Sequence, residues 1–108
     1  MELGSAEHKA QFVEEKLKIH HENIWSMEIQ LLHARKELSV KKAYLDLIPG
    51  KMERKEYESA SEGKKDEKAT KAAIDTLENI ISKIMTEKSN EELAIQKTQQ
   101  WAEDNGNQ

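Results

Sequence analysis

The composition of this 108-residue chain favours an all-helical fold. Charged residues make up 35% of it, aromatic residues 5%, and it contains one proline, which together suit long solvated helices better than a β-sandwich or an α/β sheet. Its 17 Lys and Arg are outnumbered by 21 Asp and Glu, and the resulting net charge of -4 disfavours nucleic acid and anionic membranes as partners.

The absence of cysteine excludes disulfides and thiolate metal sites, and it is consistent with a reducing compartment. Residues 1–10 contain no apolar core of a signal peptide. No run in the chain approaches the roughly 20 apolar residues that cross a bilayer. We therefore expect a cytoplasmic protein without membrane attachment.

The first predicted element is one long amphipathic α-helix over residues 5–48. Ser5 is its predicted N-cap, and the Glu7 carboxylate favours the positive end of the helix dipole. Stepping alternately by three and four residues from Ala10 gives an apolar side chain at ten of twelve positions, which we call the seam. The seam consists of Ala10, Val13, Leu17, His20, Ile24, Met27, Leu31, Ala34, Leu38, Lys41, Leu45 and Ile48.

Pro49-Gly50 predicts the end of this helix, because proline disfavours helical geometry in the preceding residue and glycine tolerates a tight reversal. We assign residues 49–72 to a turn and a charged segment. Twelve of the nineteen residues from 53 to 71 are charged. That segment is predicted either as a solvated helix extension or as a mobile linker.

A second helix is predicted over residues 73–88, with a dense isoleucine face. Ser89 and Glu92 then match a capping box, which predicts a third helix or a kinked continuation over residues 89–104. The apolar face of the second helix consists of Ala73, Ile74, Leu77, Ile80, Ile81, Ile84 and Met85.

These elements predict an all-α single domain over residues 1–108, either a long helical hairpin or a three-helix bundle with coiled-coil-like packing. The seam extends roughly 57 Å, whereas the stripe of the second helix covers only about 18 Å. Apolar surface should therefore remain uncovered and mark an association site. We expect a homo-oligomer or an obligate protein partner, and the alternative is a monomeric three-helix bundle.

The candidate interface residues combine much of the seam with the two tryptophans, which are enriched at binding hot spots. They are Val13, Leu17, His20, Ile24, Trp25, Met27, Leu31, Leu38, Leu45 and Trp101. His20 interrupts the seam and is interpreted as a polar residue that fixes register, so its protonation should weaken assembly. No metal site is predicted, because the Glu-x-x-His pattern of di-iron bundles is absent.

A local basic cluster lies between residues 35 and 55, where seven basic and three acidic side chains give a net +4. It could hold a phosphate-bearing ligand, with Tyr44 and Tyr57 available to stack on a base. The ordinary interpretation is that these cations are solvated flanks. The candidate anion-binding residues are Arg35, Lys41, Lys42, Lys51, Arg54 and Lys55.

The chain contains no glycine-rich phosphate loop, nucleophile elbow or zinc-protease motif, so we predict no enzymatic activity and no cofactor. The favoured function is a protein-protein interaction or assembly protein, such as a small adaptor or inhibitor, that acts through the long first helix. The alternative is a small helical oligomer that binds a nucleotide at the basic cluster without catalysis.

Overall fold

A computed structural model describes residues 6–105, and they form two long α-helices. Helix α1 spans Ala6–Glu53 and helix α2 spans Ala60–Asn105, with no strand in this range. The all-α class is confirmed, and residues 6–105 contain no third helix. The N-cap predicted at Ser5 lies outside the described residues.

The chain divides into two compact units, and each helix contributes to both. The turn unit contains residues 30–83, where α1 and α2 form a helical hairpin. The end unit contains residues 6–29 and 84–105. We describe each unit separately.

The helix end predicted at Pro49-Gly50 is wrong, because α1 continues through both residues to Glu53. Proline has no amide hydrogen, so it removes one helical hydrogen bond. Ile48 beside it is fully buried, and the Met52 side chain packs against Gly63 of α2. Burial of these two side chains offsets the cost of the proline within the last turns of α1.

Helix α1 ends in a Schellman motif centred on Lys55. The Lys55 amide donates to the Met52 carbonyl at 3.1 Å, and the Glu56 amide donates to the Lys51 carbonyl at 2.9 Å. Lys55 has a φ of 57°, the left-handed conformation that glycine usually provides at this place. The chain reverses over residues 54–59, downstream of the predicted turn.

Ser59 is the N-cap of helix α2, and the sequence analysis did not single it out. The Glu62 amide donates to the Ser59 hydroxyl oxygen at 3.3 Å. The capping box predicted at Ser89 lies inside α2, so no helix begins there. A serine can cap a helix only where the preceding chain is not already helical, and that condition fails at Ser89.

The predicted mismatch in helix length is also wrong. Helix α2 has 46 residues against 48 in α1, because the charged segment from Ala60 onward is the first part of α2. The covered face of α2 continues the three-four spacing through small and polar residues that an apolar pattern leaves out. They are Gly63, Thr70, Lys88, Glu91 and Thr98.

The turn unit holds most of the buried side chains. The Thr70 hydroxyl is buried among them and donates to the Asp66 carbonyl at 2.8 Å, so its polar group is satisfied. The buried apolar side chains of the turn unit are Leu31, Ala34, Ile48, Ile74 and Leu77.

The end unit has a more polar interior. Its buried apolar side chain is Ile84, and the rest of its covered face is half-buried over residues 6–29 and 84–105. An ion pair joins Lys88 to Glu28 at 3.4 Å. At its edge, the rings of Phe12 and Trp101 meet edge to face, with centroids 5.7 Å apart.

Candidate functional site

The predicted seam is the covered face of α1. All of its positions after Ala10 are buried or half-buried. The candidate interface residues on it therefore pack within the chain, and an interface through them remains a prediction that would require the helices to separate. These residues are Val13, Leu17, Ile24, Met27, Leu31, Leu38 and Leu45.

His20 has a partner within the chain. Its Nδ1 lies 2.6 Å from a carboxylate oxygen of Glu91, and both side chains are about one-fifth exposed. A protonated imidazole would make a charge-assisted hydrogen bond with this carboxylate. The register role of His20 remains a prediction, and its contact with Glu91 lies inside the end unit.

Three of the candidate anion-binding residues make contacts within the turn unit. Lys42 lies 3.8 Å from Glu78 of α2, and Arg54 lies 2.7 Å from Glu56. Lys51 lies between two tyrosines, with its Nζ 5.0 Å from the ring centroid of each. These contacts reduce the positive charge that a phosphate group could meet. The other candidates, Arg35, Lys41 and Lys55, lie in the same turn unit.

A tyrosine-carboxylate cluster closes the turn unit. Tyr44 of α1 and Tyr57 of the turn both donate their hydroxyls to Asp66 of α2, the second at 2.6 Å. Lys51 donates to the Tyr44 hydroxyl at 3.4 Å and lies over both rings. The two tyrosines predicted to stack on a base are instead joined to Asp66 and Lys51.

This cluster shifts the protonation of its members. The hydrogen bonds from Tyr44 and Tyr57 lower the pKa of Asp66, and the charges of Lys51 and Lys41 add to the effect. The hydrogen bond to Asp66 raises the pKa of Tyr57 above its usual value, because only the neutral hydroxyl can donate. The cluster thus favours an ionised Asp66 and a neutral Tyr57.

A second apolar line runs along α1 in the turn unit. Leu32, Val40 and Leu47 are 68%, 59% and 58% exposed, and with Lys36 and Ala43 they follow a three- and four-residue spacing. At 3.6 residues per turn these positions lie about 170° from the seam. We call these five residues the outer stripe. Single exposed apolar side chains are ordinary, but three large ones on the same face of one helix mark a candidate binding surface.

The corresponding face of α2 is polar. Its positions opposite the covered face follow the same spacing and are all exposed, yet only one of them, an alanine, is apolar. The contrast shows that long helices of this chain do not need apolar outer faces. These positions are Ser61, Lys65, Lys68, Ala72, Thr76, Asn79 and Lys83.

The sequence analysis missed the outer stripe because it used one seam to explain the apolar residues of α1. A second search at the same spacing would have found it, since the pattern continues upstream to Ile29 and Trp25 in the sequence. Trp25, a predicted interface residue, is 67% exposed in the end unit. Its exposure agrees with a binding role that remains a prediction.

The end unit also contains an open groove of about 570 Å³. Three predicted interface residues, Val13, Leu17 and Trp101, contribute to its lining. The Trp101 ring packs on Phe12. This groove is a second candidate surface.

Comparison with known proteins gives one family. A family model described as "Protein involved in starch initiation 1 C-terminal domain" matches residues 4–103. The chain belongs to this family. No curated protein and no solved structure matches the chain.

Two general features of the starch-initiation domain bear on its chemistry. Over residues 6–105, neither helix has an apolar stretch long enough to cross a lipid bilayer. Over the same residues, no three side chains of His, Asp or Glu are grouped as metal ligands would be.

Proposed function

We propose that this domain is a non-catalytic assembly module that acts in starch initiation by binding protein through the outer stripe of α1. The observation that carries the proposal is the pair of unlike outer faces: apolar on α1 and polar on α2. Membership of the starch-initiation family supplies the process. The seam, by contrast, is already covered by the chain itself.

The outer stripe can supply a moderate binding energy. Burying the exposed parts of Leu32, Val40 and Leu47 would contribute about 3 kcal/mol together, before the costs of association. Micromolar affinity needs about 8 kcal/mol. A partner must therefore bring its own apolar residues and at least some polar contacts, which is typical of reversible assembly.

The alternative function, nucleotide binding at the basic cluster, has less support. Lys42 and Arg54 have carboxylate partners, and Lys51 is held by two tyrosine rings. A nucleotide would have to displace these contacts to gain its own. We therefore propose an interaction role without enzymatic activity.

Starch granules form inside plastids, so we propose that the domain acts there. This replaces the cytoplasmic location that we expected from the absence of cysteine and of a signal segment. A fluorescent fusion of the full-length protein, imaged together with chlorophyll and starch, would test the location directly.

The function is tested by removing the outer stripe in the full-length protein. Leu32→Gln, Val40→Gln and Leu47→Gln together replace exposed side chains, so the fold should persist. In cells that lack the endogenous protein, we expect this variant to restore few starch granules per plastid. Granule counts by microscopy measure the effect.

A matched control makes three glutamine substitutions on the polar face of α2. Lys68→Gln, Thr76→Gln and Lys83→Gln have the same spacing and exposure on the polar face. This control should restore the wild-type number of granules. Full restoration by the outer-stripe variant would contradict the proposed function.

A further inference from the structure

We propose that the outer stripe binds a second copy of the same chain in an antiparallel arrangement, with Lys36 of each copy paired to Asp46 of the other. This inference rests on the proposed function and names the partner of its surface. It differs from the self-association expected from the sequence, which used the seam.

Lys36 lacks an acidic neighbour within its own chain. The residues three and four positions away on α1 are Leu32, His33, Ser39 and Val40. The ion pairs among residues 6–105 do not include Lys36. By contrast, Lys71 pairs with Glu67 one turn away at 2.9 Å. An exposed ammonium group therefore interrupts an apolar stripe without a counter-charge.

Asp46 is the matching carboxylate. It is exposed at the flank of the outer stripe, ten residues after Lys36. Lys42 stands four residues before it but lies 3.8 Å from Glu78 instead. The ion pairs of residues 6–105 leave Asp46 out as well. Lys36 on the stripe and Asp46 at its flank thus have no ion-pair partner among residues 6–105.

The positions of these two charges select the direction of pairing. In a parallel pair, each residue of the stripe lies level with its own copy, so Lys36 would meet Lys36. In an antiparallel pair, Leu32 faces the second copy's Leu47, and Lys36 faces the second copy's Ala43. Asp46 is three residues beyond Ala43, about 4.5 Å along the helix axis. The antiparallel arrangement therefore brings opposite charges together twice.

The size of the stripe indicates a weak dimer. From Leu32 to Leu47 it extends about 22 Å along α1, which is short for the roughly 800 Å² that each partner buries in a standard interface. Three apolar side chains and one ion pair from each copy would give reversible association. We expect a dissociation constant of the order of 100 µM.

The charge pair is tested by exchanging its members in the 108-residue chain. Sedimentation equilibrium should show that Lys36→Asp alone and Asp46→Lys alone each weaken dimerisation about tenfold. The double variant Lys36→Asp with Asp46→Lys should recover the wild-type constant within about threefold. Lys68→Asp on the polar face of α2 is the control and should leave the dimer unchanged.

Direction and register are tested with introduced cysteines, because the natural chain has none. In the antiparallel arrangement, a mixture of Leu32→Cys chains and Leu47→Cys chains should form disulfide-linked dimers. Each variant alone should form few, since its cysteine faces leucine. Efficient cross-linking of Leu47→Cys with itself would indicate a parallel pair and overturn the inference.

Two other outcomes would also overturn it. One is a wild-type chain that stays monomeric at 500 µM. The other is a double variant that dimerises no better than the single ones. Neither outcome affects the granule test, because the outer stripe could then bind a different protein. Failure of the inference and failure of the proposed function are thus separate results.

Discussion

The turn unit and the end unit use the same spacing of covered residues but different chemistry. The turn unit buries leucine, isoleucine and alanine side chains from both helices. The end unit covers His20, Lys88 and Glu91 at equivalent places, where His20 is hydrogen-bonded to Glu91 and Lys88 forms an ion pair with Glu28. Buried apolar side chains contribute a few kcal/mol each, whereas partly exposed ion pairs contribute about 1 kcal/mol or less. Stability is therefore concentrated in the turn unit.

The largest change in stability is expected when one buried side chain is removed from the turn unit. Ile48 is fully buried, so Ile48→Ala should lower the free energy of unfolding by about 3 kcal/mol. Urea unfolding followed by circular dichroism measures the change.

The matched variant lies on the seam of the end unit. Ile24 is half-buried, and Ile24→Ala should cost only about 1 kcal/mol. Equal losses of unfolding free energy in the two variants would show that both units contribute equally to stability, which would contradict the proposed difference between them.

A smaller effect is expected from the two glycines near the turn. A β-carbon on Gly63 would lie 2.8 Å from Met52 Cγ, so Gly63→Ala must displace the Met52 side chain. The overpacking should exceed the gain in helix propensity and leave a net loss of about 1 kcal/mol.

Gly50→Ala is the control for the glycine test. Its β-carbon would meet the end of the flexible Arg54 side chain at 3.1 Å, which can move away. The improved helix propensity should then raise the free energy of unfolding by about 0.5 kcal/mol. If thermal unfolding showed both alanine variants to be stabilised, close packing of α2 on Met52 would be disproved.

The smallest expected effect is on the pH dependence of stability, and it is confined to acidic pH. The pKa of Asp66 is lowered in the folded state, so its contribution is present above about pH 4. It is lost as the pH falls through the lowered pKa. Asp66→Asn should therefore flatten the decline of stability between about pH 4 and pH 2, as measured by urea unfolding at each pH.

Asp75→Asn provides the comparison for this titration, since Asp75 is exposed on α2 outside the tyrosine cluster. Asp75→Asn should leave the decline of stability at acidic pH as steep as in the wild type. An unchanged slope in Asp66→Asn would show that the tyrosine-carboxylate cluster adds nothing to the pH dependence of folding.

Much of α1 could be predicted from the sequence because its apolar residues recur at helical spacing. The seam from Val13 to Ile48 is the covered face, as expected. The sequence predicts helix over residues 73–88 and a third helix or kinked continuation over 89–104, but it reveals a covered apolar face of α2 only where isoleucine is dense. Elsewhere its covered face uses glycine, threonine, lysine and glutamate, and these residues reveal their position only when another helix lies beside them.

Local signals failed where packing opposed them. Pro49 and the Ser89 capping box both predict helix boundaries, yet both lie inside helices. The chain reverses instead where Lys55 adopts a left-handed conformation without a glycine. Burial of Ile48 and Met52 outweighs the proline, and helical residues on either side leave Ser89 nothing to cap.

The sequence by itself determined that this protein is helical and which face of α1 is covered, because apolar periodicity reports burial directly. Only the tertiary structure decided that α2 is as long as α1 and that its outer face is polar. It also placed Glu91 against His20 and left the outer stripe exposed. The physical reason is that a residue's spacing defines a face, whereas its partner depends on which helix lies opposite.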